Sequence, residues 1–513
     1  MTNPGESAVL LVRARLHEDA GRYAEALADL DAAGQPRDDP ATLSRIQTAK
    51  ARCLAALGAY GQSVAAAHEA ATAAPGSFEA RFVLGFAFEQ LGELTHARTA
   101  YEAAMALDPA SAEAPARLAA LAARRGNWAD ARALAERTLA FVPHHAVALF
   151  ALVMTDLAEH RYADAEARAR AIAQDPGYQP QIRANAMSFL ADALDGQDRT
   201  AEAFDAYTQC KLSLKTLTRP QFERPGAMSG IGTARRLLAE FQTLENADWT
   251  SPIVETPCRH VFVVGFPRSG TTLLAEILGG YPGTTVLDEK NLLSGALQAY
   301  SARADGLRAL VDAAPEELDH WRAQYWERAR QITLHGAGAV SGDGMLVDKS
   351  PFHSLHLPVI AKLFPAAHIL FAVRDPRDVV FAAFRRLFAL NAFLYDCLTL
   401  EGTATLYDSV MRLTDSYRAR IPLRLLDIRN ESLIAAPDEE VRRLCEFLGI
   451  SPHPGMTDFA QRGDRRHIPS PGSAGLAAGI TAASRGQWRR YATELAPVIP
   501  MLEPWVRRFG YGD

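Results

Sequence analysis

Through the first 215 residues the apolar positions fall on helical stripes in Ala-rich segments, and the stripes break off at a regular interval. Gly21, Gly58, Gly92, Gly126, His160 and Gly196 stand at equivalent places, 37, 34, 34, 34 and 36 residues apart. Each opens a phrase of one kind: GRYAEAL, GAYGQSV, GELTHAR, GNWADAR, HRYADAE and GQDRTAE. A small residue ends one helix, an aromatic or apolar residue follows two positions on in most units, and a new helix begins. Pro75, Pro109, Pro143 and Pro176 are placed to stop the second helix of successive units, because proline cannot continue a helix. The clearest unit, Phe78 to Ser111, has small residues at Gly85, Ala97 and Ala104, which predicts a close approach of its two helices. The Ala-rich helices stop near Leu214. Between Thr216 and His260 come four prolines, Pro220, Pro225, Pro252 and Pro257, and one helical stretch, Ala234 to Leu244. After that, apolar strand-like runs (HVFVVGF, GTTVLD, GMLVDK, HILFAVRD, LRLLDI) alternate with helical patterns, which predicts βαβ units and a parallel sheet.

The repeat is similar to the tetratricopeptide repeat (TPR), a helix–turn–helix unit of about 34 residues that stacks into a solenoid. The fold expected is therefore α plus α/β. Residues 1–215 form a TPR α-solenoid, 216–255 a linker with surfaces for both neighbours, and 256–513 an α/β domain with a parallel sheet. The resemblance implies a concave groove that holds a peptide or partner protein.

Composition narrows the picture modestly. The 513 residues are 48% apolar and 22% charged, with a net charge of −6, which gives no basis for a nucleic-acid or membrane-surface binder. The five cysteines (Cys53, Cys210, Cys258, Cys397, Cys445) are scattered and form no CxxC pair, which argues against a disulfide framework or a thiolate metal site. The N-terminus has no cationic start leading into a long apolar stretch, and the longest uncharged run, His467 to Ser484, reads as a Gly- and Pro-rich loop. The expectation is a cytoplasmic protein without a membrane span.

Candidate chemistry begins where the first strand-like run meets Gly265-Phe-Pro-Arg268-Ser-Gly270-Thr-Thr272 and an amphipathic helix. A loop at a helix start presents unpaired backbone N–H groups, which suits an anionic oxygen cluster. The spacing Gly265-x4-Gly270 matches the nucleotide-binding P-loop, but Thr271 stands where its lysine belongs. That departure argues against a kinase or NTPase, whose lysine reaches the β- and γ-phosphates.

The run FPRSGTT resembles the 5′-phosphosulfate loop of sulfotransferases that use 3′-phosphoadenosine-5′-phosphosulfate (PAPS), and matches their PRSGTT form. The resemblance implies that Arg268, Ser269, Gly270, Thr271 and Thr272 hold the 5′ end of PAPS, with Arg268 also catalytic. Asp288-Glu289 fills the place of the family's general base, with Glu289 the candidate and Asp288 the runner-up. Lys349, in Val347-Asp-Lys-Ser-Pro351, resembles the lysine that offsets charge on the leaving phosphate. Arg374, in Ala372-Val-Arg-Asp-Pro376, resembles the 3′-phosphate arginine. By the same analogy Ser470, Ser473 or Arg485 completes the nucleotide site.

The sequence departs from the family twice. Ala382 stands where a 3′-phosphate serine is expected, with Arg377, Arg385 or Arg386 the nearby candidates to compensate, and Asn430 replaces a tyrosine. His353 and His356, three apart, read as packing or surface histidines rather than metal ligands, and no metal-ligand constellation is visible. The whole is similar to a bacterial-type TPR sulfotransferase, which implies sulfuryl transfer from PAPS to an acceptor hydroxyl. A peptide or protein tyrosine is the first candidate acceptor. The alternatives are a small-molecule, glycan or lipid hydroxyl, or a TPR scaffold whose sulfotransferase-like domain is impaired. The 467–484 stretch is expected to cover the cofactor as a lid.

Overall fold

A computed structural model describes residues 4–33, 39–334, 344–458 and 485–512. The chain divides into two compact units, Met1–Ile172 and Ala173–Asp513. The expected 467–484 lid and the candidates Ser470 and Ser473 lie outside the described residues.

The first unit is a succession of antiparallel helix pairs: Pro4–Asp19 with Tyr23–Ala33, Pro40–Ala56 with Tyr60–Ala73, Phe78–Leu91 with Leu94–Leu107, and Glu113–Arg124 with Trp128–Phe141, followed by Ala146–Ala158 and Tyr162–Gln174. Four second helices, ending at Ala73, Leu107, Phe141 and Gln174, stop two residues before a proline. Gly21, Gly58, Gly92 and Gly126 take positive φ at the turns, which lets the chain reverse without Cβ strain. His160 adopts the same left-handed conformation (φ 58°) although it carries a side chain. Gly85 faces Tyr101: a Cβ there would lie 2.6 Å from the Tyr101 ring, so only glycine permits this approach.

The second unit starts earlier than the sequence pattern places it. The helices Pro180–Gly196 and Thr200–Phe222, which read as a last repeat, pack with the α/β region, and the second runs on past Leu214 with Pro220 in its last turn. The turn marker also moves, from Gly196 to Asp198 (φ 62°). The segment expected as a linker contains the helix Gly230–Thr243. Its Phe241 is fully buried against Trp249 and Tyr417, with the Arg420 guanidinium 3.8 Å from its ring centre.

Five strands, β1 (Arg259–Val264), β2 (Thr284–Asp288), β3 (Met345–Lys349), β4 (His368–Val373) and β5 (Leu425–Arg429), form one parallel sheet in the order β2-β3-β1-β4-β5. The inner strands are apolar on both faces because helices cover both. In β1, Val261 and Val263 pack under the helices Thr271–Gly279 and Pro437–Leu448, while Phe262 and Val264 face the larger helical layer on the other side. Strand order reverses at β1, whose neighbours β3 and β4 both come later in the chain. A crevice beyond the carboxyl ends of strands at such a switch point is where open α/β sheets bind ligands.

Candidate active site

Three strand ends meet at this crevice. Beyond β1 the chain turns through Gly265 (φ 154°), where a Cβ would sit 2.8 Å from both Ala372 O and Ser269 Oγ. Arg268 follows with φ 72°, then Gly270 with φ 103° caps the helix Thr271–Gly279. Gly270 at the N-cap has no side chain with which to cap the helix, so its first N–H groups face the crevice mouth. A Cβ on Gly270 would collide with Asn430 Oδ1. Asn430 thus backs the loop from the end of β5, which gives this departure from the family pattern a physical place.

The loop is short of counter-charge. The Ser269 hydroxyl and Arg268 Nε are buried without a hydrogen-bond partner among the described residues. Burial and the neighbouring Arg386, Arg374 and Arg385 push the Arg268 guanidinium down to about 10. Four cations within electrostatic reach of one another, beside a helix start with glycine at its N-cap, form an arrangement suited to an anion.

Their commitments differ. Arg374, at the end of β4, donates to Arg268 O at 3.1 Å and lies 3.9 Å from Asp378. Arg385 pairs with Asp192 at 2.9 Å and Asp195 at 3.2 Å. Arg377 forks onto Asp375 (3.0 and 2.9 Å) and lies 4.0 Å from the Trp488 ring centre. Arg386 reaches solvent, has no ion pair among the described residues, and is less basic than usual because protein surrounds it. Of the three arginines near Ala382, Arg386 is the one without an ion pair among the described residues. Ala382 itself is buried in the helix Pro376–Arg385.

Lys349 ends β3 and is 1% exposed. It forms an ion pair with Asp288, its register partner on β2, and donates to Glu289 Oε1 at 3.0 Å. Asp288 is mostly buried, and burial raises its carboxyl above the ordinary range despite Lys349. Glu289 is the outward one, with a side chain 59% exposed and a backbone φ of 51°. Its N–H donates to Lys349 O at 2.8 Å, extending the β2–β3 ladder past the strand. Among the described residues five non-glycines have positive φ, and two of them are Arg268 and Glu289. Left-handed backbone costs such residues about 1–2 kcal/mol, and strain of this kind clusters at working sites.

On the other face of β3, Asp348 is wholly buried and accepts from Tyr325 OH at 3.0 Å, and that hydroxyl lies 2.7 Å from His260 Nε2. His353 Nε2 lies 3.5 Å from Asp348 Oδ1. His356 is partly buried, with Nδ1 3.1 Å from Ser301 Oγ, and is pushed down to about 3 by loss of solvent and by His353 and Arg236. Both histidines are packed inside the domain.

Arg485 is exposed, and the backbone after it is pinned: Asp378 accepts from Gly486 N at 2.7 Å and Trp488 N at 2.9 Å. Asp192, Asp195 and Asp378, which hold these arginines and this segment, carry no motif. Only Asp378, four residues after Arg374, had a local cue.

Residues 260–454 match the family model described as "Sulfotransferase family". The chain is 28% identical over 201 residues to protein-tyrosine sulfotransferase 1 of Danio rerio, covering 37% of this chain and 53% of the relative. It is 28% identical over 147 residues to omega-hydroxy-beta-dihydromenaquinone-9 sulfotransferase Stf3 of Mycobacterium tuberculosis (strain CDC 1551 / Oshkosh), covering 28% and 36%. The chain therefore spans about half of the first relative and about a third of the second. A tetratricopeptide repeat protein from Parabacteroides merdae aligns over 46% of this chain and 92% of its own, at 13% identity and a TM-score of 0.35. The chain thus resembles sulfotransferases through its C-terminal region, where residues 260–454 carry the sulfotransferase family match.

Proposed function

We propose that the chain is a PAPS-dependent sulfotransferase that moves a sulfuryl group to an acceptor hydroxyl, with a peptide or protein tyrosine as acceptor. One observation carries the reading: Arg268, Arg374, Arg385 and Arg386 lie within electrostatic reach of one another beside a helix start whose N-cap is Gly270, one strand away from the Lys349–Glu289 pair. The residues fit the donor. The Ser269 hydroxyl, buried and without a partner among the described residues, and the backbone of Gly270, Thr271 and Thr272 suit its 5′ end. Arg374, with Arg386 in place of the serine missing at Ala382, suits its 3′-phosphate. Arg485 lies at the rim.

The donor supplies the sulfuryl group and a phosphate leaving group. Glu289, solvent-facing, accepts the acceptor hydroxyl's proton at a carboxylate oxygen. Lys349, held in place by Asp288, keeps a fixed positive charge beside the crevice where negative charge grows, and needs no reorganisation to do so. Arg268 supplies a second such charge from the neighbouring strand end. The name shared by the zebrafish relative supports a tyrosine acceptor, and the repeats of the first unit supply a scaffold suited to holding a peptide.

Thermal shift with 3′-phosphoadenosine-5′-phosphate (PAP), 5′-AMP and ATP tests the donor. PAP at about a hundred times its Kd stabilises the fold by about 2.7 kcal/mol. A shift with PAP, well beyond that with AMP or ATP, is expected. No shift with PAP would overturn the donor and leave an impaired, scaffold-like domain.

A further inference from the structure

The hairpin Pro180–Phe222 reads as the last repeat, yet it grips the donor side of the α/β region. Asp195, near the end of its first helix, collects three donors from two other elements. Arg385, at the end of the helix Pro376–Arg385, approaches it at 3.2 Å. Arg490 Nη1 donates to it at 2.6 Å and Tyr491 OH at 2.7 Å. The Asp195 carbonyl takes a further bond from Arg490 at 3.0 Å. One turn earlier Asp192 pairs with Arg385 at 2.9 Å and accepts from Tyr207 OH. From the hairpin's second helix, buried Lys211 donates to Arg386 O.

These contacts fall where the site needs order. The helix Pro376–Arg385 begins two residues after Arg374 and ends beside Arg386. The segment Arg485–Tyr491 is pinned at its start by Asp378 and at its end by Asp195. The Phe381 and Tyr491 rings pack 4.2 Å apart between the two elements. Arg268, Arg374, Arg385 and Arg386 repel one another, so something must hold them in register. A largely buried carboxylate with several charge-assisted bonds is a rigid node for that purpose.

We propose that the last helical hairpin is part of the donor-nucleotide site, with Asp195 as the positioning residue that fastens the helix Pro376–Arg385 to the segment Arg485–Tyr491 and so sets the 3′-phosphate side. The inference rests on the donor reading above. It assigns the hairpin to nucleotide recognition rather than to a peptide groove.

Calorimetric titration of the full chain with PAP and with 5′-AMP tests it in wild type, Asp195→Asn and Arg490→Gln. In both variants PAP affinity is expected to fall about tenfold or more and AMP affinity to stay within about twofold. Turnover at saturating donor stays within about twofold, while the KM for the donor rises. Arg490 is partly exposed, so Arg490→Gln decides the matter if Asp195→Asn does not fold. Equal loss for PAP and AMP, or unchanged PAP affinity in folded variants, would overturn the inference and make the hairpin a packing element. Wild type that binds neither nucleotide would overturn the donor reading itself, and the inference with it.

Discussion

The repeat unit and the α/β unit both contain tight clusters of arginine, and the clusters are built on opposite rules. In the repeat unit, buried Asp156 takes Arg132, Arg161 and Arg168 at 2.8, 2.6 and 2.9 Å. Glu159 and Glu136 also approach these arginines, so three cations meet three carboxylates. At the crevice of the α/β unit, arginine faces arginine. Arg268 and Arg386 have no carboxylate in ion-pair range among the described residues, and Glu289 leans half into solvent from a strained backbone. A closed cluster contributes to its own fold. An open one is held at some cost in stability, and such a cost is the mark of a site kept for a ligand.

The sharpest way to break this contrast is Glu289→Gln. If Glu289 is an open, working group, turnover falls about a hundredfold or more, by the usual scale for losing a general base. Stability hardly changes, because the side chain is 59% exposed and its pair with Lys349 is correspondingly screened. Sulfuryl-transfer kinetics at saturating donor, with a melting curve of the same preparation, separate the two. Near-normal turnover would remove Glu289 as the base and direct attention to Asp288.

The converse holds for Asp156→Asn. The change leaves three arginines around a neutral amide inside the repeat unit. Removing one partner of a buried ion pair costs about 3–5 kcal/mol, and the part-exposed arginines bring this towards about 2–3 kcal/mol. Denaturant unfolding monitored by circular dichroism reads the loss. PAP affinity should be unchanged. A variant as stable as wild type would mean that the Asp156 cluster is a surface ornament and that the contrast between the units is false.

How much of this was legible in the sequence follows from how local each feature is. The repeats announce themselves because the turn glycines and the prolines two residues past each helix recur at one period. Even His160 was found, by position rather than by residue type. The five strands were legible because both faces of the inner strands are apolar. Arg268, Lys349 and Arg374 sit at three strand ends, where a strand-then-loop pattern points. The Asp195 node was not legible: Arg490 is 295 residues away from it, and no local period marks such a pair. The hairpin's grouping was misread for a related reason. Its two helices carry the same Ala-rich pattern as the repeats, and only the charged residues on their outer faces, Asp192, Asp195 and Lys211, reveal what they pack against. Ala382 and Asn430 read as losses. The structure shows Asn430 behind Gly270, and Arg386 without an ion pair among the described residues four positions after Ala382.

The smallest expected effect is the most telling in sign. Arg268→Ala removes a cation whose basicity is lowered first by burial and then by three like-charged neighbours. The guanidinium Nε is buried without a partner among the described residues, so its loss also removes a hydrogen-bonding group unmet there. Without nucleotide, the variant should therefore be as stable as wild type or gain about 0.5–1 kcal/mol, in the range seen when a strained site is relaxed. With PAP the order reverses, because wild type gains binding energy that the variant cannot. A pair of melting curves, with and without PAP, reads both signs on one sample. If Arg268→Ala instead destabilises the free protein by about as much as Asp156→Asn, then Arg268 is a structural cation like those in the repeats. The positive φ at residue 268 would then serve packing rather than the donor.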